Sequence, residues 1–242
     1  VDAGRGGSRH FCDSLRHGSR LQLAGPKNLF RLDETASRVV LVAGGIGITP
    51  LAAMADRLRA LGRPYVLHYA GRARRHMALL QRLERDHAGH LVLHVKDEGG
   101  RLDLAAALAG VDAGTRVYGC GPGRLIDALQ ALAAGWPEGV LRVEHFHADA
   151  GLQDPARNHA FVAVLKDSDT RVPVAAGQSL LQALQAAGHD VPCDCGEGLC
   201  GTCEVGVVDG AVDHRDKVLS PTERAAGQRM MACCSRAAGG SI

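Results

Sequence analysis

The chain has 242 residues, 46% of them hydrophobic, which is enough for two modest domains that each bury a core. A formal net charge of +2 lies too near balance to argue for a nucleic-acid or anionic-membrane partner, and no apolar run reaches the roughly eighteen residues of a spanning helix. With no basic-then-apolar leader, the expected location is the cytoplasm, where the eight cysteines stay reduced or bind metal. The chain opens on Val1 and stops at Ser241-Ile242, and it reads as a fragment at both ends.

The first thirty-five positions hold little regular pattern. Arg5-Gly6-Gly7-Ser8 presents a guanidinium, backbone amides and a hydroxyl, which together suit a phosphate; a flexible glycine loop is the plainer reading. Arg20 to Leu23 alternates like a strand, and Pro26 to Phe30 reads as a turn into a short extended segment. That is the last piece of a barrel.

From Val39 the pattern changes to apolar runs alternating with helical periods. Strands are predicted at Val39 to Ala43, Tyr65 to Ala70, Leu91 to Val95, Thr115 to Gly119 and Val140 to Glu144. Helices are predicted from Leu51 to Leu61 and near Met77 to Asp86, Leu104 to Leu108 and Leu125 to Leu132, with Met54 and Met77 as core residues. Such alternation means a parallel sheet covered on both faces. The first strand runs into Gly44-Gly45-Ile46-Gly47-Ile48-Thr49-Pro50, where glycines let a pyrophosphate approach a helix start, although the spacing is not the G-x-G-x-x-G fingerprint. A second glycine loop, Gly119-Cys120-Gly121-Pro122-Gly123, stands at another strand's carboxyl end, where ligands of open sheets gather. Cys120 is either part of a nicotinamide site or a small buried residue. Arg72, Arg74 and Arg75 follow the second strand and suit ribose or phosphate, or a solvated helix start; their charge leaves NADH and NADPH both open.

His147 to His159 is polar, carries Gly151 and Pro155, and reads as a linker. Beyond it come two strands, Phe161 to Leu165 and Val172 to Val174, a helix at Ser179 to Ala187 stopped by Gly188, and a strand at Glu204 to Val208. Ser220-Pro221-Thr222-Glu223 forms a capping box ahead of a short helix. This order makes a β-grasp. Within it Cys195, Cys200 and Cys203 stand with four and then two residues between them, and Cys233 follows thirty positions later. That is the plant-type [2Fe–2S] spacing, three thiolates on one loop and a fourth from a distant strand. A four-cysteine zinc site usually shows two C-x-x-C pairs and only one exists here; disulfides fit a reducing compartment poorly. Cys233 and its neighbour Cys234 are both candidates for the fourth ligand, and Cys193 is a loop residue beside Cys195.

A nicotinamide delivers hydride, two electrons at once, whereas such a cluster accepts one, so a flavin is the expected intermediary. Six segments bear on this: Gly4-Arg5-Gly6-Gly7-Ser8, Pro26-Lys27-Asn28, Val42 through Pro50, Gly119-Cys120-Gly121-Pro122, Asp213-His214-Arg215-Asp216 and Cys233-Cys234-Ser235-Arg236-Ala237. In this order they resemble the phthalate dioxygenase reductase family, which includes vanillate O-demethylase reductases. The resemblance implies an FMN-binding β-barrel, an NADH-binding domain and a ferredoxin domain, with electrons passing from NADH through FMN and the cluster to a separate Rieske-type oxygenase. It implies FMN-phosphate contacts at Gly6, Gly7 and Ser8, next to the guanidinium of Arg5 as an expected cofactor contact, a flavin contact at Thr49, and nicotinamide-side contacts at Gly47, Cys120, Gly121 and Pro122. Gly44, Gly45 and Arg72 complete the expected cofactor contacts, and Phe146 resembles the aromatic that covers the flavin ring; without the family it is a core aromatic. The family alignment favours Cys233 over Cys234. One departure stands out: the family's Arg-x-Tyr-Ser/Thr strand is absent, and Arg116-Val117-Tyr118-Gly119 belongs to the nucleotide sheet.

The expected organisation is a barrel remnant over 1–36, an NAD-binding domain over 37–147, a linker over 148–158 and a ferredoxin domain over 159–242. The expected function is the reductase component of a two-component oxygenase, with neither nucleic acid nor membrane as partner. A non-enzymatic [2Fe–2S] carrier with an inert front, and a zinc-stabilised binding module, are the alternatives. No Cys-x-His pair occurs among the twelve histidines, so the chain itself holds no Rieske centre.

Overall fold

A computed structural model describes residues 7–22, 28–146 and 154–242, in two compact units, residues 1–31 and 32–242. In the first unit, α1 (Gly7–Ser14) is the one regular element among the described residues. The strand expected at Arg20 to Leu23 is not formed at Arg20, Leu21 or Gln22; Leu23 lies outside the described residues, as do Pro26 and Lys27. A strand needs a neighbour for its N–H and C=O groups, and no barrel strand among the described residues offers one. Gly7 and Ser8 open α1 rather than a loop, and Arg5 and Gly6 lie outside the described residues.

The second unit begins with the alternating segment. Its elements are β1 (Arg38–Gly44), α2 (Ile48–Ala60), β2 (Tyr65–Gly71), α3 (Leu80–Asp86), β3 (Leu91–Val95), α4 (Leu104–Ala107), β4 (Thr115–Cys120), α5 (Gly123–Leu132) and β5 (Leu141–Glu144). The five strands form one parallel sheet in the order β3-β2-β1-β4-β5, with Val40 opposite Val66 on one side and Val117 on the other. Val39 to Ala43 are all buried, which explains why β1 reads as a continuous apolar run rather than an alternating one. Against one face α2 lays Leu51, Met54, Ala55 and Leu58; against the other, α5 lays Ile126 and Leu129 beside Val40, Val42 and Val117. The third helix starts later than its periodicity suggests. Arg74–His76 form a 3-10 turn and Leu79 takes φ 60°, so the α-helix restarts at Leu80.

The remainder is a β-grasp. Antiparallel β6 (Phe161–Leu165) and β7 (Thr170–Val174) are followed by α6 (Leu180–Ala186), then β8 (Glu204–Gly206), β9 (Val212–Asp213), α7 (Pro221–Ala226), β10 (Arg229–Met231) and β11 (Arg236–Ala237). β10 pairs with β8, β11 with β9, and Ser241 bridges to Val162. Leu180, Leu181 and Leu184 of α6 pack on Phe161, Ala163, Val172, Val174, Met230 and Met231. Both α6 and α7 carry reciprocal capping boxes, Ser179 with Gln182 and Ser220 with Glu223, and Pro221 occupies the first turn of α7. Strands of two or three residues make a thin sheet, and a buried arginine reinforces it. Arg236 donates to the carbonyls of Gln178 (2.8 Å), His159 (2.9 Å) and Ala175 (3.0 Å) while its guanidinium lies 5.1 Å over the Phe161 ring. No helix of the described residues is long and apolar enough to cross a membrane.

Candidate functional site

Three cysteines ride on the loop between α6 and β8, and the fourth follows β10. The Cys195 sulfur accepts N–H groups from Glu197 and Leu199, both at 3.3 Å, and the Cys200 sulfur accepts the Cys195 N–H at 3.4 Å. Amide dipoles aimed at sulfur favour the thiolate, the form that ligates metal. Burial raises the Cys200 thiol, but its hydrogen bonds with Thr202 and with Cys195 outweigh it and bring the thiol down to about 7. The loop closes tightly enough that Gly198, at φ 72°, has no room for a side chain: a Cβ would collide with the Cys234 sulfur and stand 3.0 Å from the Asp216 Cα.

The four sulfurs fall into two pairs. Cys195 and Cys200 share the loop's amides, while Cys203, buried, lies against Cys233, and that contact together with burial pushes its thiol up. Among the described residues, no three His, Cys, Asp or Glu side chains converge as the ligands of one ion do. Two pairs of thiol donors, three sulfurs on one loop and the fourth from beyond β10, fit the two bridged irons of a [2Fe–2S] cluster. Cys234 turns its sulfur toward the Met231 carbonyl and the Ser235 hydroxyl, both at 3.9 Å, and Cys193 is exposed.

What fixes these pairs was not legible as chemistry in the sequence. Asp216 is fully buried and accepts the amides of Val218 (3.0 Å) and Leu219 (2.8 Å), while Lys217 N–H bonds the Gly198 carbonyl at 2.8 Å. Ser235, just past Cys233, accepts the Arg215 N–H at 3.1 Å, and Ala232 N–H bonds the Cys203 carbonyl at 3.0 Å. The Arg215 guanidinium, almost fully buried, holds Asp213 (2.7 Å) and the Asn158 amide oxygen (2.6 Å). A run of Asp, His and Arg looks solvated on paper; only its burial marks it as the frame of the cluster loop.

The second site lies where the strand order reverses, between β1 and β4. The two glycine loops touch there. A side chain at Gly47 would strike the Cys120 carbonyl, and one at Gly44 would meet Pro122 and Leu125 at 2.8 Å. Gly44 and Gly47 thus stand beside Cys120, Gly121 and Pro122, while Gly45 faces open space and Thr49 donates its hydroxyl to the Ile46 carbonyl at 3.0 Å. Cys120 reaches the crevice through its backbone. Its thiol is fully buried, and burial together with the Glu144 charge pushes it up to about 12, so it offers neither acid nor nucleophile at neutral pH. Glu144, opposite Cys120 on β5, escaped the sequence reading; burial raises its carboxyl. Phe146, two residues beyond β5, is 36% exposed at the same edge of the sheet. Arg72 points outward, 82% exposed and 3.8 Å from Asp97. Arg74 is bound to Glu84 (2.7 Å) and Glu98 (3.0 Å).

Comparison with known proteins bears on both sites. The family described as the 2Fe-2S iron-sulfur cluster binding domain matches residues 164–238. The chain is 45% identical over 232 residues to the phenoxybenzoate dioxygenase subunit beta of Ectopseudomonas oleovorans, covering 96% of this chain and 72% of that protein. Among solved structures it resembles phthalate dioxygenase reductase, a modular structure for electron transfer from pyridine nucleotides to [2Fe-2S], at 34% identity and TM-score 0.65, covering 99% of this chain and 75% of that one. It also matches an intact type IV self-sufficient cytochrome P450 monooxygenase at 53% identity and TM-score 0.85; the whole of this chain spans about a third (32%) of that one.

Proposed function

This chain belongs to the phthalate dioxygenase reductase family of oxygenase reductases, and from that premise we propose that it takes hydride from a nicotinamide at the β1–β4 crevice and passes electrons singly to an oxygenase through its [2Fe–2S] cluster. It is an oxidoreductase of the iron–sulfur class. The observation that carries the reading is the paired, amide-fed set of four thiols in the same compact unit as a crevice floored by two glycine loops. FMN, when bound, supplies the conversion of a hydride into single electrons.

The chain's own part is placement. Gly44, Gly45, Gly47, Gly121 and Pro122 bring backbone close to the dinucleotide, Thr49 and Phe146 border the flavin side, and Arg5, Gly6, Gly7 and Ser8 take the FMN phosphate. Cys120 contributes backbone rather than its thiol, and Cys195, Cys200, Cys203 and Cys233 hold the irons. The domains run over 37–147 and 159–242, after a barrel remnant over 1–36 and with a linker over 148–158, in a cytoplasmic protein. Cys233→Ser is expected to lose the cluster and Cys234→Ser to keep it, as read by iron and sulfide per chain; iron retained in the first variant overturns the ligand assignment.

Anaerobic reduction tests the relay. With FMN added, a reduced pyridine nucleotide bleaches the cluster absorbance, and dithionite bleaches it with or without flavin. A cluster that answers dithionite alone leaves a simple electron carrier in place of the reductase. The acceptor has two readings. A Rieske-type oxygenase follows from the family, and a haem monooxygenase from the higher likeness to the self-sufficient P450, 53% against 34% identity. Stopped-flow mixing of the reduced protein with each acceptor class decides between them by the faster cluster reoxidation.

A further inference from the structure

The Cys200 sulfur has one neighbour that differs in kind from its others. It accepts the Cys195 N–H at 3.4 Å and the Thr202 N–H, much as the Cys195 sulfur accepts those of Glu197 and Leu199. The Thr202 hydroxyl also lies 3.4 Å from the Cys200 sulfur, and on its far side stands a carboxylate oxygen of Asp194 at 2.5 Å. Asp194 is exposed and Thr202 half-buried. The row runs sulfur, hydroxyl, carboxylate.

A hydroxyl has one proton to give and two lone pairs with which to receive. With Cys200 as a thiol, the S–H donates to Thr202 and the hydroxyl donates onward to Asp194, so each proton has its place. A sulfur that ligates iron has lost its proton, and the single proton left goes either to sulfur or to carboxylate. At 2.5 Å the carboxylate holds it, because that is the length of a charge-assisted O–H···O⁻ bond. The hydroxyl then turns a lone pair toward sulfur. Hydrogen bonds to ligand sulfurs and nearby charge both set a cluster's potential, since they stabilise or oppose the extra electron of the reduced form.

We infer that Asp194 is a positioning residue for electron transfer: by taking the Thr202 proton it withholds a hydrogen bond from the Cys200 sulfur and so keeps the cluster's potential low. The inference rests on the [2Fe–2S] reading given above, with Cys200 as a ligand. A low potential favours passing the electron onward to an acceptor.

Potentiometric titration of the cluster, followed by its absorbance and by electron paramagnetic resonance of the reduced form, tests this without turnover. Asp194→Asn frees the hydroxyl to donate to sulfur, and the expected result is a rise of about 59 mV, a tenfold change in the one-electron equilibrium. In Thr202→Val no hydroxyl remains, so adding Asp194→Asn to it is expected to raise the potential by less than half as much. Thr202→Ser keeps the hydroxyl and is expected to keep the full response. An equal rise with and without the hydroxyl overturns the inference, since charge alone then accounts for it, and so does an unchanged or lower potential in Asp194→Asn. Iron and sulfide per chain are measured for each variant, and Asp194→Ala makes the same comparison should Asp194→Asn not hold its cluster. Natural protein prepared anaerobically without iron or sulfide overturns the cluster reading itself.

Discussion

The nucleotide sheet and the cluster region each place ligands on loops, yet they hold those loops still by opposite means. In the sheet, five parallel strands bury near-continuous apolar runs on both faces, and the two glycine loops are fixed by backbone contact at Gly47 and Gly44. In the β-grasp, β8 to β11 have only two or three residues each, and beside the apolar core under α6 buried charges brace them: Asp216, Arg215 and Arg236 are each at most 3% exposed. The lesson is that a short-stranded fold built around a metal loop relies on satisfied polar groups, which are worth little when complete and costly when broken.

Four perturbations sharpen the contrast. Removing a carboxylate from the braced region has the largest effect: Asp216→Ala strands the amides of Val218 and Leu219 and removes the carboxylate beside Arg224, and it is expected to lower stability by about 3–5 kcal/mol and cluster occupancy with it. Thermal unfolding followed by cluster absorbance reads both; a melting curve like that of the natural protein would break the comparison.

Acid acts on the other region. His68, on β2, is buried against His94 (3.1 Å), and burial first, then the His94 and Arg38 charges, lower it to about 4. A base depressed on folding contributes stability that is full above its unfolded pKa of roughly 6.5 and lost as pH falls from there toward 4. The sheet is therefore expected to lose up to about 3 kcal/mol across that window, and His68→Gln to flatten the profile in denaturant titrations at pH 7 and pH 4.5.

Gly47→Ala comes next, at about 1–3 kcal/mol, because its methyl drives apart the β1 and β4 loops at the Cys120 carbonyl. Binding of 5′-AMP should fall while the cluster spectrum stays unchanged, which separates the two regions in one variant. Smallest is Ser179→Ala, which removes the α6 cap and costs about 1 kcal/mol, measurable as a modest fall in melting temperature with iron content unaltered.

Legibility differed between the two regions for the same reason that their bracing does. Strand and helix order in the sheet followed from periodicity, since a fully buried strand announces itself as an apolar run such as Val39 to Ala43. The short strands at Val212–Asp213 and Arg236–Ala237 left no such trace, because two residues carry no period. The alternation misled at Arg20, Leu21 and Gln22, since alternation without a neighbouring strand forms nothing.

Sequence alone determined the cluster spacing at Cys195, Cys200, Cys203 and Cys233, the two glycine loops and the β-α alternation, because each depends on neighbours along the chain. The tertiary structure decided that the four thiols fall into pairs, that the Cys120 thiol faces inward, and that Arg74 is neutralised while Arg75 is not. Those outcomes depend on which strands lie side by side and which acids their ends bring within about 4 Å, and Coulomb and packing forces act over that distance regardless of separation in the chain.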